Sequence, residues 1–374
     1  MKRILVFGLC ALLPLLATLT AAEAQSTPSS STQSAPTGKN QPSNLSASNY
    51  ITLGRYYFQM GQYDSAYVSF RAALDLEPNN SEAMLYLGQA QIRLGLYSSA
   101  ISTFRKLIKI SHHHVAPYIF LAQAYQAQHD HSRHPSKVAG DLERALAVLD
   151  EAVLVNPKSA AIYNERAIIY KDQGNLKAAI GAQKEALSLA PKNPVVLANM
   201  GHLYYSAGNF LQADKVLERA VIADPLNAQT RSLYALVLMR IGNSKRALPE
   251  IEQAVNISPK DAEVVGNYGI ILFLQKKFTS SQQNLQEAVK LDPLNYPIFY
   301  YYLGRIALQM GLAREARLNL TKAVALDGSQ AAYHYYLGEA LVAIGDVKDA
   351  KLQFEQALKI DPKSSSAKDA LAKL

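Results

Sequence analysis

Apolar residues recur three or four positions apart through most of this chain, with polar residues at the positions between them. Leu53 and Tyr57 show this spacing in one segment, and Leu337 and Leu341 show it in another. Residues at this separation lie on the same face of an α-helix. A glycine stands between many of these segments, where it permits a turn with positive φ. The pattern therefore predicts short paired helices and no strands.

The paired segments repeat every 34 residues, a period that points to a repeat architecture. A late proline marks the period, and successive examples stand 34 residues apart at Pro157, Pro191, Pro225, Pro259 and Pro293. The third unit carries 11 extra residues between its helices, and Tyr296 is an insertion before the eighth. The predicted units are 47–80, 81–114, 115–159, 160–193, 194–227, 228–261, 262–295, 297–330 and 331–364.

Small residues occupy three fixed places in each unit. The eighth place is Gly or Ala in every unit, from Gly54 in the first to Gly338 in the ninth. The twentieth is Ala or Ser, and the twenty-seventh is Ala everywhere except at Leu107. Where two helices cross closely, only such residues let the backbones approach to about 8–10 Å. Each unit is therefore predicted to be a helix–turn–helix with closely packed helices.

These nine units, residues 47–364, resemble the tetratricopeptide repeat family. The resemblance implies an all-α fold, a right-handed superhelical α-solenoid in which stacked helix pairs share one core. It also implies that the first helix of each unit lines a concave groove, in which extended peptides or partner helices bind. Some units depart from the pattern: His112 and Gly328 replace the late proline, and Arg231 and His334 replace an aromatic residue of the first helix.

The N-terminus has the order of a secretory signal. Lys2 and Arg3 precede an apolar run over 4–16, and Ala22-Glu23-Ala24 places small residues where a signal peptidase reads them. We predict that residues 1–24 are a signal peptide cleaved after Ala24, with an uncleaved membrane anchor as the alternative. The protein is therefore expected to be exported, either to the periplasm or to the extracellular space.

Two further segments flank the repeats. Residues 25–46 hold ten Ser or Thr, three Pro and almost no large apolar side chain. Such a segment buries too little apolar surface to offset its ordering entropy, so it is predicted to be a disordered linker. Residues 365–374 are predicted to form a short helix that caps the apolar face of the last repeat.

The groove-facing places of the family, transferred to this chain, predict a polypeptide-binding surface. Asparagine both donates and accepts hydrogen bonds, which suits an extended backbone of any sequence. Tyrosine offers a rigid apolar face with one polar tip. The alternative is that several of these tyrosines pack against neighbouring helices. The predicted partner-binding residues are Tyr86, Phe120, Asn164, Asn199, His202, Asn267, Tyr301, Tyr302, Arg305, Tyr335 and Tyr336.

Composition narrows the candidate chemistry. The chain has 374 residues, a formal net charge of +8 and one cysteine. A single cysteine excludes a disulfide scaffold and cysteine-based zinc modules. Lys and Arg are spread over all repeats without a basic run, so no nucleic-acid partner is expected. No phosphate-binding glycine loop or catalytic set is evident, so we expect no catalytic residue, no cofactor and no enzymatic activity.

Six of the eight histidines fall between residues 112 and 134. His112, His113 and His114 are predicted at a turn between repeats, whereas His129, His131 and His134 are predicted in the loop of the third unit. Histidine clusters bind transition metals, but the two groups are separated by a helix. A solvated loop is favoured over a metal site at 129–134, and no metal site is predicted.

These features favour an exported, non-enzymatic scaffold that binds another protein in the groove. Envelope assembly is the expected setting, whether of pili, outer-membrane proteins or the polysaccharide-export machinery. The alternative is a glycan-contacting or enzyme-recruiting accessory module at the cell surface. No transmembrane span is expected after signal cleavage, and the oligomeric state stays open.

Overall fold

The computed structural model describes residues 45–132 and 140–374. The predicted signal peptide, residues 25–44 of the predicted linker and His134 lie outside the described residues. Every regular element within the described ranges is an α-helix, which confirms the all-α prediction. The helices are α1 Ala47–Gln59, α2 Tyr63–Leu76, α3 Ser81–Arg93, α4 Tyr97–Ile110, α5 Val115–His131, α6 Asp141–Val155, α7 Ala160–Asp172, α8 Leu176–Leu189, α9 Pro194–Ser206, α10 Phe210–Ala223, α11 Ala228–Arg240, α12 Ser244–Ile257, α13 Ala262–Leu274, α14 Phe278–Leu291, α15 Pro297–Gln309, α16 Ala313–Leu326, α17 Ala331–Ala343, α18 Val347–Ile360 and α19 Ser365–Ala372.

The chain divides into two compact units after Pro191. The N-terminal unit contains α1–α8, and the C-terminal unit contains α9–α19. Within each unit, an odd-numbered helix packs on the even-numbered helix that follows it and also contacts the next odd-numbered helix. We call the odd-numbered helices of a unit its first-helix layer. This layer carries every predicted partner-binding residue.

Small residues at the eighth place of a repeat face a large buried side chain sixteen residues later. A Cβ added to Gly54 would lie 2.5 Å from the Phe70 ring, and one added to Gly304 would lie 2.4 Å from Cγ of Leu320. Both large side chains are fully buried. Because carbon atoms need about 3.5 Å or more, these close crossings require the absence of a side chain.

The turns between paired helices use a left-handed backbone. Gly208 has a φ of 72°, and glycines occupy the corresponding turn of most repeats with similar φ values. In the seventh repeat the place is taken by Lys276, at a φ of 63°. A left-handed backbone costs a residue with a Cβ about 1–2 kcal/mol, so this turn is locally strained.

A hydrogen bond links the fourth place of several repeats to the end of the preceding one. The Tyr163 hydroxyl donates to the carbonyl oxygen of Pro157 at 3.1 Å. In two repeats that lack the tyrosine, another side chain makes the contact: Arg231 donates through Nε to the Pro225 carbonyl at 2.7 Å, and the Nε2 atom of His334 lies 3.1 Å from the Gly328 carbonyl. The sequence departures at these two positions therefore preserve the local geometry.

The third repeat differs from its sequence-based prediction. Helix α5 has 17 residues, whereas the other first helices have 13, so part of the extra sequence extends a helix. His129 and His131 lie in the last turn of α5. The placement of these two histidines in a loop was therefore wrong, because the helical backbone continues beyond the length that the other repeats set.

The last helix, α19, lies against the ninth repeat. Ala367 is fully buried, and Ala370 and Leu371 pack against the core of the C-terminal unit. Leu374 is 42% exposed. In the residues that the structure describes, no helix combines the length and apolar character needed to cross a membrane.

Candidate interaction surface

Five predicted partner-binding residues come together in the C-terminal unit. Tyr301, Tyr302 and Arg305 lie on α15, and Tyr335 and Tyr336 lie on the adjacent first helix α17. The Tyr301 ring contacts the Tyr336 ring edge-to-face, with 5.6 Å between centroids, and Tyr335 contacts Tyr336 in the same way at 5.0 Å. Edge-to-face contacts of this kind stabilise aromatic clusters. We call these five residues, together with Arg240 described below, the Tyr-Arg cluster.

Arg305 lies at the centre of this cluster. Its Cζ atom is 4.7 Å from the ring centroids of Phe273 and Tyr336, 5.3 Å from that of Tyr301 and 5.7 Å from that of Tyr302. Its Nη1 atom donates a hydrogen bond to the Tyr301 hydroxyl at 3.2 Å. Aromatic faces attract a guanidinium group electrostatically, so the four rings hold this half-buried cation in place.

A second arginine, absent from the sequence prediction, completes the cluster. Arg240 is the last residue of α11, and its guanidinium forms side-chain hydrogen bonds with the hydroxyls of Tyr205 and Tyr302. Arg240 is exposed. The Tyr302 hydroxyl is therefore flanked by Arg240 and Arg305, and both arginines act to lower its pKa against the dominant effect of burial.

The cluster tyrosines differ in accessibility. Tyr301 and Tyr302 are buried, whereas Tyr335 and Tyr336 are half-buried. Burial raises the pKa of the Tyr301 hydroxyl to about 12, although Arg305 acts in the opposite direction. The buried Tyr301 and Tyr302 therefore contact the two arginines through their hydroxyls. The accessible part of the cluster consists of Arg240, Arg305, Tyr335 and Tyr336.

The aromatic residues predicted at the N-terminal end do not form a comparable cluster. Tyr86 is half-buried and stacks on Phe70 at 5.5 Å, with Arg55 lying 5.6 Å above its ring. Phe120 is 8% exposed and stacks on Phe104 at 5.7 Å. Phe120 therefore serves mainly to pack the second repeat on the third, whereas Tyr86 keeps an accessible edge.

Two of the predicted asparagines are buried within the helical layers. Asn164 is fully buried, and its Oδ1 atom accepts a hydrogen bond of 3.0 Å from Nε2 of Gln183. Gln183 occupies the place that a large apolar residue fills in other repeats, so it needs a polar partner inside the core. Asn267 is 6% exposed and donates to Oγ of Ser232 at 2.7 Å. In this conformation both amides therefore serve packing, and neither is presented to a peptide.

Asn199 and His202 lie on α9 and are half-buried. Both residues have interactions within the protein. They lie on the same helix as Tyr205, which contacts Arg240. These two residues therefore belong to the first-helix layer that carries the Tyr-Arg cluster.

A buried acidic cluster lies between α5 and α7 of the N-terminal unit. Glu165 is fully buried, and its Oε2 atom accepts a hydrogen bond from Nε2 of Gln123 at 3.0 Å. Burial raises the pKa of Glu165 to about 8, partly opposed by that hydrogen bond. Burial, reinforced by Asp172, raises the pKa of Asp130 to about 7. Burial therefore shifts both acids toward their neutral forms in the folded protein.

The described residues contain no group of three or more His, Cys, Asp or Glu side chains arranged to hold a metal ion. His112, His113 and His114 are exposed at the turn after α4, and their rings contact one another in sequence. The prediction about a metal at residues 129–134 concerns a segment that is only partly described, so it stays a prediction.

Comparisons with solved structures found similar folds. The Cut9–Hcn1 hetero-tetramer of the APC/C is 13% identical, with 87% of this chain and 76% of that chain covered and a TM-score of 0.61. A tetratricopeptide repeat protein from Parabacteroides merdae is 20% identical over 67% of this chain and 98% of that chain, with a TM-score of 0.51. The human IFIT1 dimer with m7Gppp-AAAA is 16% identical over 89% and 81%, with a TM-score of 0.61. At these identities the likeness is one of fold.

Sequence comparison with known families agrees with the fold. The comparison with curated proteins found no match. Two family models described as tetratricopeptide repeat match residues 51–112, 138–194 and 301–365, and residues 170–237. These ranges together cover more than half of the chain, and they extend over both compact units. Nine units share a 34-residue period, and each unit is a packed pair of helices. With these matches, the chain belongs to the tetratricopeptide repeat family.

Proposed function

We propose that this protein is a non-enzymatic scaffold that binds a polypeptide on the first-helix layer of its C-terminal unit. One observation carries the proposal: aromatic and cationic side chains of α11, α15 and α17 converge there and remain partly accessible. Tyrosine and arginine, together with tryptophan, are enriched among the residues that contribute most to protein interfaces, because they offer large contact areas with polar ends. Tyr335, Tyr336 and Arg305 are the central contact residues in this proposal.

The site is proposed on the first-helix layer, and the second helices offer a matched comparison. Leu318 on α16 and Leu352 on α18 are 66% and 53% exposed, and they belong to the same two repeats as Arg305, Tyr335 and Tyr336. Scattered exposed leucines are common on protein surfaces. Removal of these leucines takes away apolar area from the other layer and leaves the Tyr-Arg cluster intact.

A selection experiment tests this function. The full chain is immobilised and used to select from a phage library of random twelve-residue peptides, and enriched peptides are then measured by fluorescence polarisation. A Tyr335→Ala/Tyr336→Ala variant should lose at least tenfold in affinity, since central interface tyrosines contribute about 2 kcal/mol or more when truncated. A Leu318→Ala/Leu352→Ala variant should bind like the parent protein. Equal binding by all three proteins would refute the proposed surface.

We further propose that the protein is exported and acts in assembly at the cell envelope. The proposal rests on the basic, apolar and small-residue order of residues 1–24 and on the polar linker at 25–46. N-terminal sequencing of the protein purified from its source cells tests export directly. A mature chain that begins at Gln25 would support it, and an intact Met1 would contradict signal cleavage.

A further inference from the structure

Within the described part of the chain, the two arginines of the Tyr-Arg cluster form no ion pair with an acid. Among residues 45–132 and 140–374, ion pairs within 4.0 Å involve other cations, such as Arg231 with Glu250 and Arg246 with Glu218. Arg240 and Arg305 form none. Their hydrogen bonds go to tyrosine hydroxyls. Two full positive charges therefore lie on either side of Tyr302 without a carboxylate.

The surroundings of these arginines supply little opposing charge. The groups that act on the pKa of Tyr301 and Tyr302 are the two arginines and other tyrosines, with no carboxylate among them. Acids act only on the tyrosines at the edge of the cluster: Glu339 forms a side-chain hydrogen bond with Tyr335, Asp369 also raises the pKa of Tyr335, and Asp327 raises that of the neighbouring Tyr333.

Arg55 and Arg246 pair with carboxylates, whereas Arg93 and Arg105 bond tyrosine hydroxyls as the cluster arginines do. The cluster differs in that two arginines act on one hydroxyl, that of Tyr302, which leaves two neighbouring charges for a ligand.

The geometry leaves hydrogen-bond donors for that ligand. An arginine has five N–H donors, and the described residues give Arg305 one hydrogen bond, to Tyr301. Aromatic rings surround the Arg305 guanidinium, and the guanidinium groups of Arg305 and Arg240 each donate hydrogen bonds to tyrosine hydroxyls. A carboxylate fits the remaining donors because it accepts two parallel N–H bonds from one guanidinium.

We propose that Arg240 and Arg305 bind carboxylate side chains of an acidic polypeptide segment, with Tyr335 and Tyr336 contacting apolar residues beside the acid. The proposal rests on the function proposed above, because it names the chemistry of the partner at the same surface. Charge complementarity identifies the occupant: two neighbouring cations without carboxylate partners in the described residues select Asp and Glu over Lys and Arg.

The peptide selection described above tests this inference when it is run in parallel on four full-length proteins. The first is the parent protein, and the second is the Arg240→Gln/Arg305→Gln variant. The third is an Arg314→Gln/Arg317→Gln variant, which removes the same formal charge from two exposed arginines on α16. An Arg240→Gln single variant is added because Arg240 is exposed at a helix end, where substitution disturbs folding least. Circular dichroism verifies the fold of each variant.

The parent and the α16 variant should enrich peptides rich in Asp and Glu, and the cluster variant should lose this enrichment. A selected acidic peptide should bind the cluster variant at least tenfold more weakly, since hydrogen bonds to charged groups are worth about 1.5–3 kcal/mol. Three results would overturn the inference and leave peptide binding intact. The parent protein could select peptides without an acidic excess, the cluster variant could keep the acidic enrichment, or the α16 variant could lose it. No enrichment by the parent protein would overturn both.

Discussion

Gly266 provides a sharp test of how neighbouring repeats pack. It lies on α13, and a Cβ built at this position would be 2.1 Å from Cζ of Phe299 and 2.4 Å from both Cε atoms. Phe299 belongs to the next first helix, is 1% exposed and stacks on Tyr296 with 4.9 Å between ring centroids. A Gly266→Ala substitution therefore forces the ring to move by about 1.4 Å to reach ordinary contact distance.

The expected magnitude follows from two opposing effects. Overpacking a dense core costs about 1–3 kcal/mol, and the buried, stacked ring places this site at the upper end of that range. Alanine in place of glycine inside a helix returns about 1 kcal/mol. The net expectation is a destabilisation of about 2 kcal/mol, confined mainly to α13 and α15. Gly181→Ala on α8 is the matched control: it has no atom within 4 Å of the added Cβ, so it should stabilise by about 0.5–1 kcal/mol.

Hydrogen exchange followed by mass spectrometry is the suitable assay, because repeat arrays open locally and a single unfolding midpoint averages over many repeats. Amide exchange in α13 and α15 of Gly266→Ala should accelerate about 30-fold, while that in α1 and α3 stays unchanged. Adding Phe299→Leu should recover part of the loss, because the smaller side chain relieves the overlap. Unchanged or slower exchange in α13 of Gly266→Ala would refute the packing argument.

Three further predictions concern local stability. Lys276→Gly should stabilise the protein by about 0.5–1 kcal/mol in urea denaturation, because glycine adopts the left-handed turn without strain and this gain exceeds its cost in chain entropy. Gly208→Ala, at the corresponding turn, should destabilise the protein by a similar amount. A change of the same sign for both substitutions would contradict this reasoning. The pKa of Glu165 is raised to about 8 in the folded protein, from an ordinary value of 4.5. Between these two pH values the folded protein holds a proton that the unfolded chain has released. The contribution of Glu165 to the stability of the folded protein therefore falls as the pH rises from about 4.5 to 8. Glu165→Gln should therefore exceed the parent in stability above pH 8, with a ceiling of about 5 kcal/mol, and approach it at pH 4; a constant difference at all pH values would argue against it. Tyr163→Phe should lower protection from hydrogen exchange at the start of α7 by about 1 kcal/mol or less, through loss of the bond to Pro157, and unchanged protection there would show that this bond contributes nothing.

Sequence alone was enough to identify the helix pairs, for physical reasons that individual residues make clear. Gly304 and Ala316 are small because their helices cross closely, and this requirement returns in each repeat with the same spacing. Turn glycines such as Gly208 mark the helix ends because a left-handed backbone is needed there. Local rules of this kind leave a periodic record that a single sequence preserves.

Contacts between repeats left no comparable record. Gly266 is small because of Phe299, a residue 33 positions later, and this pairing does not recur at the same place of the other repeats. Asn164 was predicted to face a ligand, but it satisfies Gln183, a polar residue at a place that is normally apolar. The polar exception at Gln183 was the signal that could have revealed this core pair.

The Tyr-Arg cluster was predicted in part. Tyr301, Tyr302, Arg305, Tyr335 and Tyr336 stand at regular groove-facing places, so the repeat register was sufficient to find them. Arg240 lies at the end of a first helix two repeats before α15, and its contact with Tyr302 depends on how successive helices are displaced. In the sequence, Arg240 is marked only as an arginine at a helix terminus. The tyrosines that it contacts belong to other repeats, so only the three-dimensional structure brings them together.

Site-specific photo-crosslinking tests the central claim most directly. A benzoylphenylalanine is placed at position 335 or at position 318 of the full chain, and each protein is irradiated with a peptide obtained from the phage selection. Residue 335 lies in the Tyr-Arg cluster, and residue 318 lies on the second helix of the eighth repeat. The account predicts a covalent adduct from position 335 and none from position 318. An adduct formed only from position 318, or from neither, would contradict binding on the first-helix layer.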